Sequence, residues 1–212
     1  MRAFNILLTI MVFTMISACG PVITFDEPQP PGADNLSHFP KRLQGKYISD
    51  SGANILSITE NSIVKTYDYD LVVHPSDLDS SQKVKGDTLY NLNTKEKIAI
   101  RFRGDSLLVP IYYADTIFSI NPDMLLRKFK GHYLLNLNNE KTGWEVQLVD
   151  LSKGRLTLSS ISSEAGIEAL KQLSETPVDS FPSYQVKTTR RQLHTFINNN
   201  GFTDKETYTR IR

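Results

Sequence analysis

The sequence predicts a mainly β protein of the α+β type, arranged as two antiparallel β-meander lobes with two short helices in the C-terminal third. Three observations predict it. From Phe39 onward apolar residues alternate with polar ones in short runs, the period of a strand that buries one face. Turn-forming pairs separate those runs: Glu60-Asn61, Gly86-Asp87, Gly104-Asp105 and Lys153-Gly154. Helical spacing of apolar residues appears only past residue 160.

Taken in order, the alternation predicts strands over 44–49, 55–59, 62–69, 88–92, 98–102, 107–112 and 116–120, then over 133–137, 144–149 and 155–161. Ser163 can cap a helix reaching about Ser174, with Ile167, Leu170 and Leu173 on one face. Thr189 and Gln192 have the spacing of a capping box, opening a helix that carries Leu193, Phe196 and Ile197. Gly201 stands where a helix ends on a left-handed residue. A last strand over 206–211 returns to a sheet.

Two internal similarities support this organisation. Leu43-Gln44-Gly45-Lys46-Tyr47-Ile48 recurs as Phe129-Lys130-Gly131-His132-Tyr133-Leu134, and each copy is followed by a strand, a Gly-containing turn (Ser51-Gly52, Thr142-Gly143) and another strand. This predicts lobes over 39–126 and 127–212, each glycine relieving close packing and each tyrosine lying across a core. The Gly-x-Tyr opening resembles the Gly-x-Trp strand of lipocalin-like barrels; it lacks the tryptophan and carries over no ligand site. The second similarity is a hairpin chemistry: Gly86-Asp87-Thr88-Leu89, Gly104-Asp105-Ser106-Leu107 and Ala114-Asp115-Thr116-Ile117 each place a turn residue and Asp before a strand start.

The N-terminus supplies an address. Arg2 precedes an apolar run over 6–16, too short to span a bilayer, and the run ends in Ile16-Ser17-Ala18-Cys19. This resembles the bacterial lipoprotein signal, and the chain as a whole is similar to uncharacterised envelope lipoproteins of Gram-negative bacteria. The resemblance implies that residues 1–18 are a signal peptide and that Cys19, the only cysteine, is lipidated and becomes the first of 194 mature residues. More than one acyl chain on that residue makes membrane residence durable. Gly20 stands where enteric bacteria place the aspartate that retains lipoproteins in the inner membrane, which implies the outer membrane. Residues 19–38, with Pro21, Pro28, Pro30 and Pro31, read as a Pro-rich tether reaching up to about 60 Å.

Charge and motifs then restrict function. The segment 19–126 carries 10 Lys/Arg against 14 Asp/Glu, and 127–212 carries 13 against 9, so two oppositely charged halves make residues 19–212 neutral. Such halves suit lobes that pack against each other, or a basic face turned to lipid headgroups or polyanions; the densest basic spots, Arg127, Lys128 and Lys130 with Arg190 and Arg191, read first as solvated faces. No nucleic-acid role is expected.

Asp68, Asp70, His74, Asp77 and Asp79 read as an exposed acidic rim, without the spacing of a calcium loop. Arg103-Gly104-Asp105 spells an adhesive tripeptide but occupies a turn, as Lys85-Gly86-Asp87 does. His38, His74, His132 and His194 have no metal-ligand spacing, and no nucleophile elbow or P-loop is present. Trp144, Tyr112, Tyr113 and Tyr133 are the candidates for lining a pocket. No cofactor, metal or catalytic residue is therefore expected. The reading is a membrane-anchored lipoprotein with a non-enzymatic binding or structural role, bound to an envelope protein or a small ligand. The alternative is a carrier of an apolar or glycan ligand, which requires an aromatic-lined cavity of about 300 Å³ or more. A hydrolase requires a Ser or Asp within hydrogen-bond reach of a His in a cleft.

The anchor has a direct consequence. Cys19→Ala is expected to leave an uncleaved precursor that takes up no fatty-acid probe, read by metabolic labelling and gel mobility; labelling of the mutant would remove the assignment.

Overall fold

The computed structural model describes residues 22–161, 164–173 and 183–211, so residues 1–18, Cys19 and Ser163 lie outside the described residues. Strands make up 56% of it and only two helices are described, which makes the fold mainly β as the alternation predicts. The chain divides into two compact units, one formed by 1–39 with 118–207 and the other by 40–117 with 208–212.

The first unit contains β1 (Val22–Phe25), β2 (Asn35–Leu36), β11 (Met124–Phe129), β12 (His132–Asn139), β13 (Gly143–Ser152), β14 (Arg155–Ser160), β15 (Ser183–Val186) and the start of β16 (Asp204–Ile211). Strands β2-β11-β12-β13-β14-β16 lie side by side in that order. β1 sets Phe25 antiparallel to Trp144 of β13 and runs parallel to β15. Helices α1 (Glu164–Leu173) and α2 (Arg190–Asn198) cover one face. Ile167 and Leu170 of α1 and Leu193, Phe196 and Ile197 of α2 pack with Leu134, Val146, Leu148, Ile23, Phe25 and Val186. Each is buried, the condition under which an apolar side chain stabilises by about 1.5–3 kcal/mol.

Local chemistry sets the ends of these elements. Lys130-Gly131 and Lys153-Gly154 are two-residue hairpin loops with φ of 50° and 97°, and of 49° and 80°, the all-positive pattern of type I′ turns. Helix α2 opens on the expected capping box, Thr189 accepting from Gln192 N–H and Gln192 Oε1 from Thr189 N–H. It closes differently. Asn200, at φ 55°, takes the left-handed position expected of Gly201; its N–H bonds Ile197 O at 3.0 Å and the Gly201 N–H bonds Phe196 O at 2.9 Å. Gly201 is required for room, since a Cβ there would fall within the Phe196 ring.

The segment expected as a tether is folded from Val22 onward. Ile23, Thr24, Phe25 and Gln29 are buried. The prolines mislead because they remove donors but leave carbonyls, which the body satisfies. Arg127 donates to the carbonyls of Pro28 and Pro30, and Arg190 donates to Pro31 O at 2.7 Å and Gly32 O at 2.6 Å. Asn136, fully buried in β12, accepts from Gln29 N–H and returns a bond to Gln29 O at 3.0 Å. Thr188 bonds the Gln29 side chain at 2.9 Å. Burial lowers the Arg127 pKa, and Glu27 opposes it.

The second unit begins after Phe39. It holds β3 (Gly45–Ser49), β4 (Asn54–Ile58), β5 (Ser62–Val73), β6 (Gln82–Lys85), β7 (Thr88–Asn91), β8 (Lys97–Ala99), β9 (Arg101–Arg103) and most of β10 (Ser106–Ser119). The last residues of β16 pair with β3, and the order continues β4-β5-β10-β9; β6-β7-β8 form a separate meander. A cluster of Leu89, Ile100, Leu107 and Val109, with Val73 and Ile111 against it, joins that meander to β10. Tyr47 is fully buried, its hydroxyl donating to Leu43 O at 2.7 Å, with the Arg210 guanidinium 4.9 Å from its ring centroid. Burial raises the Tyr47 pKa; the Arg210 charge opposes it.

Both units therefore carry a three-strand meander opened by Gly-x-Tyr, β3-β4-β5 and β12-β13-β14, with Tyr47 and Tyr133 buried. The glycines differ from expectation. Gly131 sits in a turn at φ 97° with open space beside it, and Gly45, at φ 145°, lies against the Arg210 guanidinium. Ala114-Asp115 forms no turn, because Ala supplies no easy positive φ, and the runs predicted over 107–112 and 116–120 are one strand, β10. The run predicted over 98–102 is broken at Ile100, which turns into the cluster at 4% exposure. Strands β1, β2, β6, β11 and β15 were not expected from the pattern, and the lobe division at 126 lies at 117–118.

Asn136→Ala is expected to destabilise the protein by about 2–3 kcal/mol in urea unfolding, because it strands the buried Gln29 N–H. A change under about 0.5 kcal/mol would show that the segment is not held by this bond.

Candidate binding surface

The outer halves of β5 and β10 emerge from the buried base of the second unit. Every residue over 68–72 and over 112–116 is exposed, so this strand pair shows solvent both of its faces. Alternation puts Tyr67, Tyr69 and Leu71 of β5 on one face. Tyr113 of β10 joins them, its ring stacked on that of Tyr67 with centroids 6.2 Å apart and planes 29° off parallel. Lys65 Nζ stands 5.6 Å from the Tyr67 centroid. The other face of β5 carries Asp68, Asp70 and Val72, and Arg101 of β9 clamps Asp70 through bonds of 2.7 and 2.5 Å. Tyr112 faces away from Tyr113 and is 75% exposed, and Phe102 of β9 is 57% exposed. Leu107 and Val109 root the ribbon in the buried cluster, so a buried base presents a row of exposed rings. Tyrosine suits such a surface because it offers apolar area with a polar tip and few torsions to fix.

The sequence singled out Tyr112 and Tyr113, but as pocket residues, and missed Tyr67, Tyr69, Leu71 and Phe102. One signal was available: Ile111-Tyr112-Tyr113 puts large apolar groups on both faces of one strand, and only a doubly buried or doubly exposed strand accommodates that. The other two pocket candidates belong to the first unit. Tyr133 is buried, and Trp144 packs half-buried against the core.

The remaining candidates have structural occupations. His74 caps the turn Pro75–Asp77 through Ser76, Asp79 accepts from Ser81 N–H and Oγ at 2.6 and 2.5 Å, and those bonds lower its pKa. Among the described residues no three His, Cys, Asp or Glu gather as a metal site. Gly104 and Gly86 both have φ 60° at the first position of two-residue loops, so the adhesive tripeptide and its counterpart are the same turn. His38 bonds Ser37 at 3.1 Å, and His194 lies edge-on to Phe129 at 6.0 Å. Of the basic spots, Arg127 and Arg190 are spent on the N-terminal segment, whereas Lys128, Lys130 and Arg191 are exposed.

His132 does meet an acid: its Nδ1 bonds Asp150 Oδ1 in a cavity of about 280 Å³ whose lining includes Thr157, Ser159, Asn200, Phe202 and Lys205. Ser159 lies on β14, opposite Leu148 of β13, while His132 lies on β12. Two strand spacings, about 10 Å, separate those backbones, beyond the reach of an imidazole already bonded to Asp150 on the strand between. The pair sets a base against an acid, with the Ser159 hydroxyl beyond the imidazole's reach. A larger cavity, about 570 Å³, is lined by Met124, Leu137, Asn138, Asn139, Glu140, Lys141 and Glu145, without an aromatic ring.

No family model, curated protein or solved structure matches this chain. The functional reading rests on its own residues.

Because both rings are mostly exposed, Tyr112→Ser and Phe102→Ser are each expected to change unfolding free energy by less than about 0.5 kcal/mol. A loss above about 2 kcal/mol in urea unfolding would make the ribbon part of the fold's support rather than a contact surface.

Proposed function

We propose that this protein is a lipid-anchored envelope lipoprotein, held through Cys19 on the outer membrane, whose body binds another envelope component without catalysis. The observation that carries the binding role is the exposed ribbon of Tyr69, Leu71, Tyr112 and Tyr113, with half-buried Tyr67 stacked on Tyr113 and Phe102 beside them. Exposed apolar area of that kind is a liability for a protein that uses it for nothing, and its commonest use is contact with another molecule. Neighbouring Asp68, Asp70, Arg101 and Lys65 give the rings a charged rim, the arrangement of a contact patch with a polar border. The aromatic character favours a partner that lays flat apolar or sugar-ring area on tyrosine faces. The signal residues Ile16-Ser17-Ala18-Cys19 support the anchor, and among the described residues no helix is long and apolar enough to cross a membrane.

A photo-crosslinking residue at position 71, on the same face of β5 as Tyr67 and Tyr69, in the full chain expressed in cells, tests the ribbon. A discrete crosslinked species is expected, and the double variant Tyr67→Ser/Tyr69→Ser should reduce it by at least about tenfold, since two rings at a contact centre carry 1.4 kcal/mol or more. No crosslinked species, or one unchanged by the variant, would overturn the reading.

A further inference from the structure

Two hairpin tips of the first unit share one end of its sheet. The Lys130-Gly131 loop joins β11 to β12, the Lys153-Gly154 loop joins β13 to β14, and the pairing of Tyr133 with Val149 sets the two loops at the same end. Lys128, Lys130, Lys153 and Arg155 gather there, all exposed. The opposite end of the same strands carries Asp123, Glu140 and Glu145 against Lys141. The sheet is thus basic at one end and acidic at the other.

The turns themselves show a choice. Type I′ loops favour Asn, Asp or Gly at their first position, where φ is positive, and both of these loops place a lysine there instead. A side chain in that region carries a conformational cost. The comparable hairpins of the second unit use Gly-Asp. Turn stability does not select the lysines.

Chain direction supplies the second, independent observation. β1 pairs antiparallel with β13 at Phe25, so from Phe25 back to Val22 the chain heads the way β13 runs, toward the Lys153-Gly154 loop. Cys19 precedes Val22 by three residues, a span of at most about 10 Å. An anchor so close keeps the body at the bilayer surface, and β1, followed back toward Cys19, leads from the acidic end toward the end where the four cations lie.

We propose that this basic end, Lys128, Lys130, Lys153 and Arg155, docks on anionic headgroups of the membrane that holds the anchor, and so fixes the body's orientation. The proposal rests on the lipid-anchor reading. Each cation near an anionic surface contributes about 1 kcal/mol, an attraction screened by salt. With the basic end down, the acidic end of the first unit points away from the lipid.

The test uses full-length lipidated protein reconstituted into vesicles of phosphatidylcholine alone or mixed with phosphatidylglycerol. The acylated Cys19 is the only native cysteine, so Ser152→Cys and Asn139→Cys each accept one dye, at the basic and the acidic end. Headgroup spin-labelled lipid then reports proximity. In anionic vesicles, quenching at 152 is expected to exceed quenching at 139 severalfold, and to fall to the level of zwitterionic vesicles in about 1 M salt. Lys130→Asn/Lys153→Asn removes two of the four charges while easing the turns, and should reduce the difference severalfold without loss of stability. Protein that floats with the vesicles but is quenched equally at both positions would overturn the docking and leave the anchor standing. Protein that does not float would overturn both.

Discussion

The fold of the first unit depends on one buried polar contact, the exchange between Asn136 and Gln29. An unpaired amide at the centre of a sheet would cost several kcal/mol, and Asn136 lies at zero exposure in β12. It is tolerated because Gln29 and Leu125 meet its hydrogen-bonding needs, and Thr188 meets those of the Gln29 side chain. The contact spans 107 residues and fixes the register of the N-terminal segment on the sheet. β1 and β2, the seat of Arg127 and the docking of Arg190 on Pro31 and Gly32 all follow from that register. So does the short distance between Cys19 and the folded body.

That dependence explains which parts of the fold were legible in the sequence. The strands from 44 to 69 and from 133 to 160 came through because half-buried antiparallel strands keep a period of two, and their turns are chemically marked. The capping box of α2 came through because it is local, four residues long and unambiguous. The N-terminal segment did not, because its structure is supplied from outside: Asn136, Arg127 and Arg190 lie roughly a hundred residues or more away, and nothing within 22–38 announces them. The same reason moved the lobe boundary. β10 and β16 each divide their residues between units, and no local pattern marks where a continuous strand changes neighbours. The candidate surface was half legible: two tyrosines were flagged, but their exposure depended on the missing neighbours over 68–72 and 112–116.

The two meanders begin alike and are used differently. In the first unit, β12-β13-β14 is roofed by α1 and α2, and its inward face holds Leu134, Val146 and Leu148. In the second, β5 outruns its cover and ends as a ribbon, with only the base buried by Leu107 and Val109. An equal plan therefore yields a packed support in one case and an extended display in the other. Separating them lets apolar area be exposed without draining the core that holds the fold together.

Such a display carries an aggregation hazard, and the ribbon's sequence manages it. The edge strand β9 is three residues long and has an arginine at each end, which disfavours edge-to-edge pairing. Pro110 lies two residues beyond the last β9 pair, where it blocks extension of that ladder. Asp68, Asp70 and Asp115 interrupt the apolar run along both strands, and Arg101 is tied to Asp70 rather than left to neutralise a second chain. These safeguards act on backbone pairing and leave the tyrosine faces open. A surface protected against edge pairing yet kept apolar on its faces is what the proposed side-chain contact with a different molecule requires, and it is not what an incompletely covered sheet needs.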